Sequence, residues 1–440
     1  MILRVFMFFY RLAWLILLPV ILLYLHRRSR KDPLYFQHLG ERFGRYDRPL
    51  PRGALWVHGV SLGETRSALA LIHLMLERGE HVVITNVTPA GRREAEKQFG
   101  VAIKSGKLAV VWAPLDMPFC YRRFFSACTP RIGLPLEVEI WPDMIATAHK
   151  CGVPIYLCNS QYASRPLARD SKGLRMRQRI IANCDGALVK SQLQADRFAA
   201  IGLTNITVTG ELRFDQPIPE GLLSAAPAAR ASLCAQDRPF ITIASGVEAE
   251  EDLYIALIED VQKTARAKSL PVPYFVYVPR APERFTPLAE KIQTAGLSVC
   301  QRSEIFPSGP VGLTKTPDHM PEADVFLGDS LGEMYFFLAL ADQVIVGGGF
   351  NERGAHNIIE PLATGKPVLV GPYVWTIEFP FVEAKAAGVA KSYDTPMAMI
   401  QALSDEKAAS KQAIAAFVAS HRGASTRTLE AIDRVISRSP

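Results

Sequence analysis

A chain of 440 residues that is 49% hydrophobic and 21% charged is a globular protein of two or three domains, which excludes disorder and low complexity. Its formal charge of +7 and pI near 9.0 point to anionic partners, whether phosphorylated lipid, sugar nucleotide or nucleic acid. The seven cysteines form no CxxC pair, which argues against a zinc site or a disulfide framework and fits a reducing compartment.

The first element is apolar. Val5 to Leu25 contains no charge except Arg11 and approaches the length of a membrane span. It runs straight into "HRRSRK", His26 to Lys31, without the small-residue cleavage site of a signal peptide, so residues 1–31 read as a retained anchor. The basic flank places the body on the cytoplasmic side. Arg4 and Arg11 leave open whether the helix spans the bilayer or lies in its interface. As a tether alone, it is expected to be removable without unfolding the rest.

From about Gly53 short apolar runs alternate with amphipathic stretches, the pattern of βα units around a parallel sheet. Strands are predicted at "ALWVHGV", "HVVITNV", "LAVVWAP", "RIGLPLEVEI" and "VPIYLCN". The Pro- and Ala-rich interval from Gln216 to Arg230 breaks this rhythm as a linker does. A second series follows: "FITIASG", "PYFVYVPR", "VFLGD", "DQVIVGGG" and "KPVLVGP", with a helical end from about Pro396. The expected division is an acceptor-side domain over 32–215, a linker over 216–236, and a nucleotide-side domain over 237–440. Both domains are expected to be α/β, doubly wound and Rossmann-like, facing each other across a cleft with ligand at the carboxyl ends of the strands.

Three features carry chemistry. "VIVGGG" followed by "HNIIEP" reads as a strand, a glycine turn and a helix start, where free backbone N–H groups and close approach suit a phosphate. His356 and Asn357 then donate to phosphate, and Glu360 accepts from ribose hydroxyls; an ordinary capped helix accounts for the same residues equally well. In "HGVSLGET", Glu64 follows a strand and a tight turn, where a general base would stand. Favouring the helix dipole is its bland alternative, and His58 in the preceding strand reads as structural. Glu137 and Glu139 in "LEVEIW" share one face if that segment is a regular strand, and geometry does not choose between them.

Taken together, "LGERFGRY", "WVHGVSLGET", "LEVEIWPDMI", "VTGELRFD", "VPRAPERF", "LGDSLGEM", "GAHNIIEP" and "GKPVLVGP" resemble the membrane-anchored 3-deoxy-D-manno-octulosonic acid (Kdo) transferases over most of the chain. The resemblance implies a GT-B fold and an inverting transfer of Kdo from CMP-Kdo to a lipid A precursor, without metal or other cofactor, at the inner membrane. It implies Glu64 as the base, with Glu137 and Arg213 as further catalytic residues; Arg213 stands where the family usually has Lys and keeps its charge. CMP contacts are implied for Pro279, Arg280, Leu331, Gly332, Glu333, Asn357, Ile358, Ile359 and Glu360.

Several departures adjoin these positions. Ala281 replaces the histidine of "PRHPERF", Ala355 replaces the second glycine of "GGHN", and Gly349 stands where a serine is common. Neighbours of sugar and acceptor are thus altered, which keeps two alternatives in view: a GT-B enzyme with another sugar nucleotide or acceptor, and a non-catalytic membrane-tethered paralogue. Nucleic acid is not an expected partner, since no recognition module accompanies the basic charge. Anionic membrane lipid is.

Overall fold

The computed structural model describes residues 2–233, 238–311, 323–405 and 408–437. The chain divides into two compact units, Met1–Gln216 with His421–Pro440, and Pro217–Ser420.

The first unit holds seven parallel strands: β1 (Leu55–Gly59), β2 (Val82–Asn86), β3 (Leu108–Trp112), β4 (Ile132–Pro135), β5 (Tyr156–Ser160), β6 (Gly186–Val189) and β7 (Ile206–Val208). One sheet runs β3-β2-β1-β4 and a second β5-β6-β7, and bridges Gly133–Ile155 and Leu136–Cys158 join them at β4 and β5. All five residues of β1 and of β2 are buried, as strands covered by helices on both faces must be. The strand order reverses between β1 and β4, so the crevice at their carboxyl ends is this unit's topological switch point. One face is filled by Trp56, Phe124 and Phe125, where each ring removed from water contributes roughly 2–3 kcal/mol.

The second unit carries β8 (Phe240–Gly246), β9 (Tyr274–Pro279), β10 (Val299–Gln301), β11 (Val325–Leu327), β12 (Gln343–Val346), β13 (Val368–Val370) and β14 (Ala390–Ser392). These form one parallel sheet in the order β10-β11-β9-β8-β12-β13-β14, reversing between β8 and β12. Parallel strands and intervening helices make each unit α/β and Rossmann-like.

Three segments differ from the sequence reading. A helix occupies Glu220–Leu233 where a linker was expected; Ala is the strongest helix former and outweighs Pro227. Residues 234–236 of that interval, with Cys234, lie outside the described residues. The helical end is three helices, Pro396–Asp405, Lys411–His421 and Ala424–Ile436. The last belongs to the first unit: Ala424, Leu429 and Ile432 bury themselves among Leu55, Val57 and Leu71, and Asp215 accepts from the backbone N–H groups of Gly423 and Ser425 at 2.7 and 2.6 Å.

The N-terminal apolar run is a single helix, α1 (Ile2–Ser29), long and apolar enough to cross a membrane. It is no detachable tether. Leu3 and Phe6 pack on the cluster around Trp56, and Trp14, Leu18 and Ile21 pack on Leu115, Met117 and Cys120. Removing α1 would bare that surface, so the body is not expected to keep its stability without it.

Candidate functional site

In the first unit the turn after β1 builds the Glu64 site. Ser61 caps the helix Leu62–Ser67 by accepting from the Glu64 N–H at 3.3 Å. The Glu64 carboxylate reaches back, with Oε2 accepting from the Val60 N–H at 2.6 Å and Oε1 from the Ser61 hydroxyl at 2.9 Å. These reciprocal bonds resemble a capping box, with the Val60 N–H in place of the Ser61 N–H, and they fix the carboxylate at the switch point instead of leaving it on a free rotamer. Burial pushes the Glu64 pKa up against those two bonds, and the charges of Glu139 and Glu137 push the same way. A carboxylate made more basic by its surroundings is better matched to proton abstraction near neutral pH.

The segment "RIGLPLEVEI" does not remain a strand through its glutamates: β4 ends at Pro135, and Glu137 takes a left-handed φ of 57°. The backbone is held there by the Glu137 N–H donating to Cys158 O at 2.9 Å and by the Ser160 hydroxyl donating to Glu137 O at 2.6 Å. Glu137 and Glu139 therefore part company. Glu139 accepts from the Trp141 indole at 3.0 Å, whereas Glu137 turns to a buried polar cluster. Its Oε1 accepts from Lys190 Nζ at 2.8 Å and Asn159 Nδ2 at 3.2 Å. Lys190 also meets Glu211 at 2.7 Å, and Asn159 donates to Glu211 at 2.9 Å.

Arg213 follows in the 3-10 turn Leu212–Asp215, and its charge acts on both glutamates. Burial favours the neutral acid of Glu211, but Lys190 and Arg213 outweigh it and hold that pKa below the usual range. Burial wins for Glu137, whose pKa lies above the usual range. The side chains of Lys190 and Glu211 are 6% and 2% exposed and that of Glu137 is 26% exposed, so of the three only Glu137 is partly open to its surroundings. Glu64, Glu137 and Arg213 are thus brought into one electrostatic neighbourhood. His58 is fully buried with Nδ1 2.8 Å from the Thr85 hydroxyl, and burial lowers its pKa to about 4.

In the second unit the nucleotide candidates lie at the carboxyl ends of β9, β11 and β12. The glycine run differs from expectation. The Gly348 and Phe350 N–H groups donate to Glu250 at 2.6 and 2.7 Å, so a protein carboxylate occupies amides of the run that was expected to let a phosphate approach. Close packing explains the glycines themselves: a Cβ on Gly347 would lie 2.4 Å from Ser245 O, and one on Gly349 would lie 2.4 Å from Gly371 N. Asn357 Oδ1 accepts from the Ile359 N–H at 2.9 Å, which satisfies the first amide of the short helix Ile359–Ala363.

Pro279 ends β9, and the Arg280 N–H donates to Gly246 O at 2.9 Å. Arg280 faces His356: burial first, then this guanidinium, lowers the imidazole pKa to about 4. Ile358 and Ile359 bury their side chains, leaving backbone alone for a ligand. Glu360 faces Tyr335, raising the phenol together with burial. Leu331 is 73% exposed, Gly332 turns the chain at a φ of 82°, and Glu333 is bound by Arg302 and by the Ser330 hydroxyl.

Sequence reasoning passed over Lys190, Glu211, Asn159 and Glu250. Lys190 and Glu211 stand just beyond β6 and β7, two strands not read from the sequence.

Residues 37–216 match the family model described as 3-deoxy-D-manno-octulosonic-acid transferase (kdotransferase). A 3-deoxy-D-manno-octulosonic acid transferase of Bordetella pertussis is 38% identical over 434 residues, covering 96% of this chain and 98% of its own. Among solved structures, a glycosyltransferase from Rickettsia africae ESF-5 is similar with a TM-score of 0.57 at 12% identity, covering 90% of this chain and 100% of that one. The UDP-GlcNAc 2-epimerase of Neisseria meningitidis, solved with UDP-GlcNAc bound, is similar with a TM-score of 0.50 at 12% identity, covering 87% and 99%. At such identities the two structures speak for the fold alone.

Proposed function

The chain belongs to the 3-deoxy-D-manno-octulosonic acid transferase family and is a Kdo glycosyltransferase of lipopolysaccharide biosynthesis; we propose that it moves Kdo from CMP-Kdo to a lipid A precursor by a single, inverting, metal-independent displacement. The observation that carries the reading is the Glu64 carboxylate, locked by its bonds to Val60 and Ser61 at the switch point of the first unit, with a raised pKa, beside Glu137. Glu64 takes the proton of the acceptor hydroxyl as that oxygen attacks the anomeric carbon of Kdo. CMP leaves from the opposite face with the bonding electrons. Glu137 and Arg213 balance the charges that change in this step.

On the nucleotide side, Arg280 and His356 face the CMP phosphate and Glu360 accepts from the ribose hydroxyls. Pro279, Leu331, Gly332, Glu333 and Asn357 line the site, and Ile358 and Ile359 contribute backbone groups. A monophosphate leaving group carries less charge than a diphosphate, so these protein groups suffice to hold it. The acceptor's acyl chains keep it in the bilayer, and α1 with its basic flank holds the body at the cytoplasmic surface of the inner membrane, against anionic lipid.

Competition tests the donor assignment. CMP should inhibit transfer from CMP-Kdo at concentrations where UDP has no effect. Equal inhibition by UDP would favour the second reading, a changed donor, which Ala281 and Ala355 motivate.

A further inference from the structure

Helix α1 has two faces that together decide how it meets a membrane. The inner stripe, Leu3, Phe6, Tyr10, Trp14, Leu18, Ile21 and Leu25, repeats every three or four residues and lies on the first unit. Polar contacts pin its middle: the Tyr10 hydroxyl donates to Asp116 at 2.6 Å, and the Arg11 guanidinium donates twice to Asp143 Oδ1 at 2.8 and 2.6 Å. The Asp143 side chain is 0% exposed and Asp116 is 1% exposed. Asp116 in turn accepts from the backbone N–H groups of Asp143 and Met144, tying this contact to the start of the helix Pro142–Lys150.

At 1.5 Å per residue the docked stretch from Leu3 to Leu25 is roughly 33 Å long, about the thickness of the hydrocarbon core. A helix seated along that whole length on a hydrated domain cannot cross the bilayer without drawing the domain in. The midpoint of such a span would carry Asp116, Asp143 and neighbouring strands of the first unit into hydrocarbon, where unpaired polar groups and charges are most unfavourable.

The outer face is of the opposite kind. Val5, Phe8, Phe9, Leu12, Ile16 and Val20 are all more than two-fifths exposed and carry no polar group. Near its start, Ile2, Val5, Phe6 and Phe9 meet Leu174 and Met176 around an apolar recess of about 400 Å³. Leu174 is 64% exposed at the tip of the segment Ser164–Arg179, which bears Arg165, Arg169, Lys172, Arg175, Arg177 and Arg179 against one acid, Asp170. At the far end of α1 stand Arg27, Arg28, Arg30 and Lys31. Cations therefore bracket an apolar strip at both ends. A second copy laid on this strip, parallel or antiparallel, would set cations against cations, whereas anionic headgroups around an acyl interior match the pattern.

We infer that α1 lies in the plane of the cytoplasmic leaflet and does not span it, and that Ser164–Arg179 is a second membrane contact, with Leu174 among the acyl chains and its basic residues on anionic headgroups. The inference rests on the membrane association proposed above. It also aligns the site with the lipid surface, because Arg177 donates to the carbonyl of Val138, next to Glu137, at 3.0 Å.

Two measurements test it with the full chain. A short hydrophilic epitope placed before Met1 should survive protease added to intact spheroplasts and disappear only after permeabilisation. Loss of the epitope from intact spheroplasts would show that α1 crosses the membrane and overturn the inference. Recovery of the chain in the soluble fraction would instead overturn the membrane association on which it rests. For the second contact, Arg169→Glu with Arg175→Glu should weaken flotation with phosphatidylglycerol-containing vesicles more than tenfold and leave binding to phosphatidylcholine vesicles nearly unchanged. Equal loss on both vesicle types, or no loss on either, would remove Ser164–Arg179 from the contact.

Discussion

Lys190 places its ammonium 2.8 Å from Glu137 and 2.7 Å from Glu211, so one buried cation holds two carboxylates in fixed positions. Of these three residues only Glu137 keeps a partly exposed side chain, on a backbone turned left-handed at that residue. Removing the cation leaves two acids in a poorly solvated place. We expect Lys190→Met to destabilise the first unit by about 3–5 kcal/mol, read from urea unfolding, with Lys190→Arg recovering much of the loss. Unchanged stability would mean that the cluster is hydrated and not an ion-paired brace.

Glu64 is both a capping residue and the proposed base, and two substitutions separate these roles. Glu64→Gln keeps a hydrogen-bonding side chain of the same length and should lower turnover about 10²–10⁴-fold with CMP affinity and melting temperature close to the parent's. Glu64→Ala should add a stability loss of about 1 kcal/mol. If Glu64→Gln turned over normally, the carboxylate would be structural only.

On the nucleotide side, Glu360→Ala should weaken CMP more than a ribose-free phosphate analogue, as isothermal titration would show. Equal weakening of both would assign Glu360 to the helix and not to the ribose.

Acid sensitivity follows from the imidazoles. His58 and His356 have folded pKa values of about 4, below the unfolded value of about 6.5. The unfolded chain therefore binds protons first as pH falls, so stability is full above about 6.5 and is lost down to about 4. For His58, fully buried, the window is worth roughly 3 kcal/mol at about 1.4 kcal/mol per pKa unit. Urea unfolding of the parent should weaken between pH 7 and pH 4.5, and His58→Gln should flatten that slope. A slope unchanged in His58→Gln would place the acid response elsewhere.

Much of the fold was legible because buried parallel strands read as continuous apolar runs, as in Leu55–Gly59 and Tyr274–Pro279. The short strands β6, β7, β10 and β14 were not read from the sequence, although β11 and β13, equally short, were. Nor does periodicity say which body a helix docks on, so the return of Ala424–Ile436 to the first unit was hidden. Glu64 was visible because it directly follows the β1 strand and a Ser-Leu-Gly turn, and the family resemblance supplied its role as base. Lys190 and Glu211 were not, because topology alone gathers them beside Glu137. The partner of the glycine run was hidden for a related reason: Glu250, which accepts from its amides, lies almost a hundred residues away.

The central claim is that this chain transfers Kdo with Glu64 as the base, and one measurement addresses it directly. The purified parent protein and Glu64→Gln, each shown to bind CMP, are incubated with CMP-Kdo and a lipid A precursor, and the lipid is examined by mass spectrometry. The account predicts a mass increase of one or more Kdo residues with the parent protein and almost none with Glu64→Gln at equal CMP occupancy. An unmodified lipid in both reactions, or equal modification in both, would contradict it.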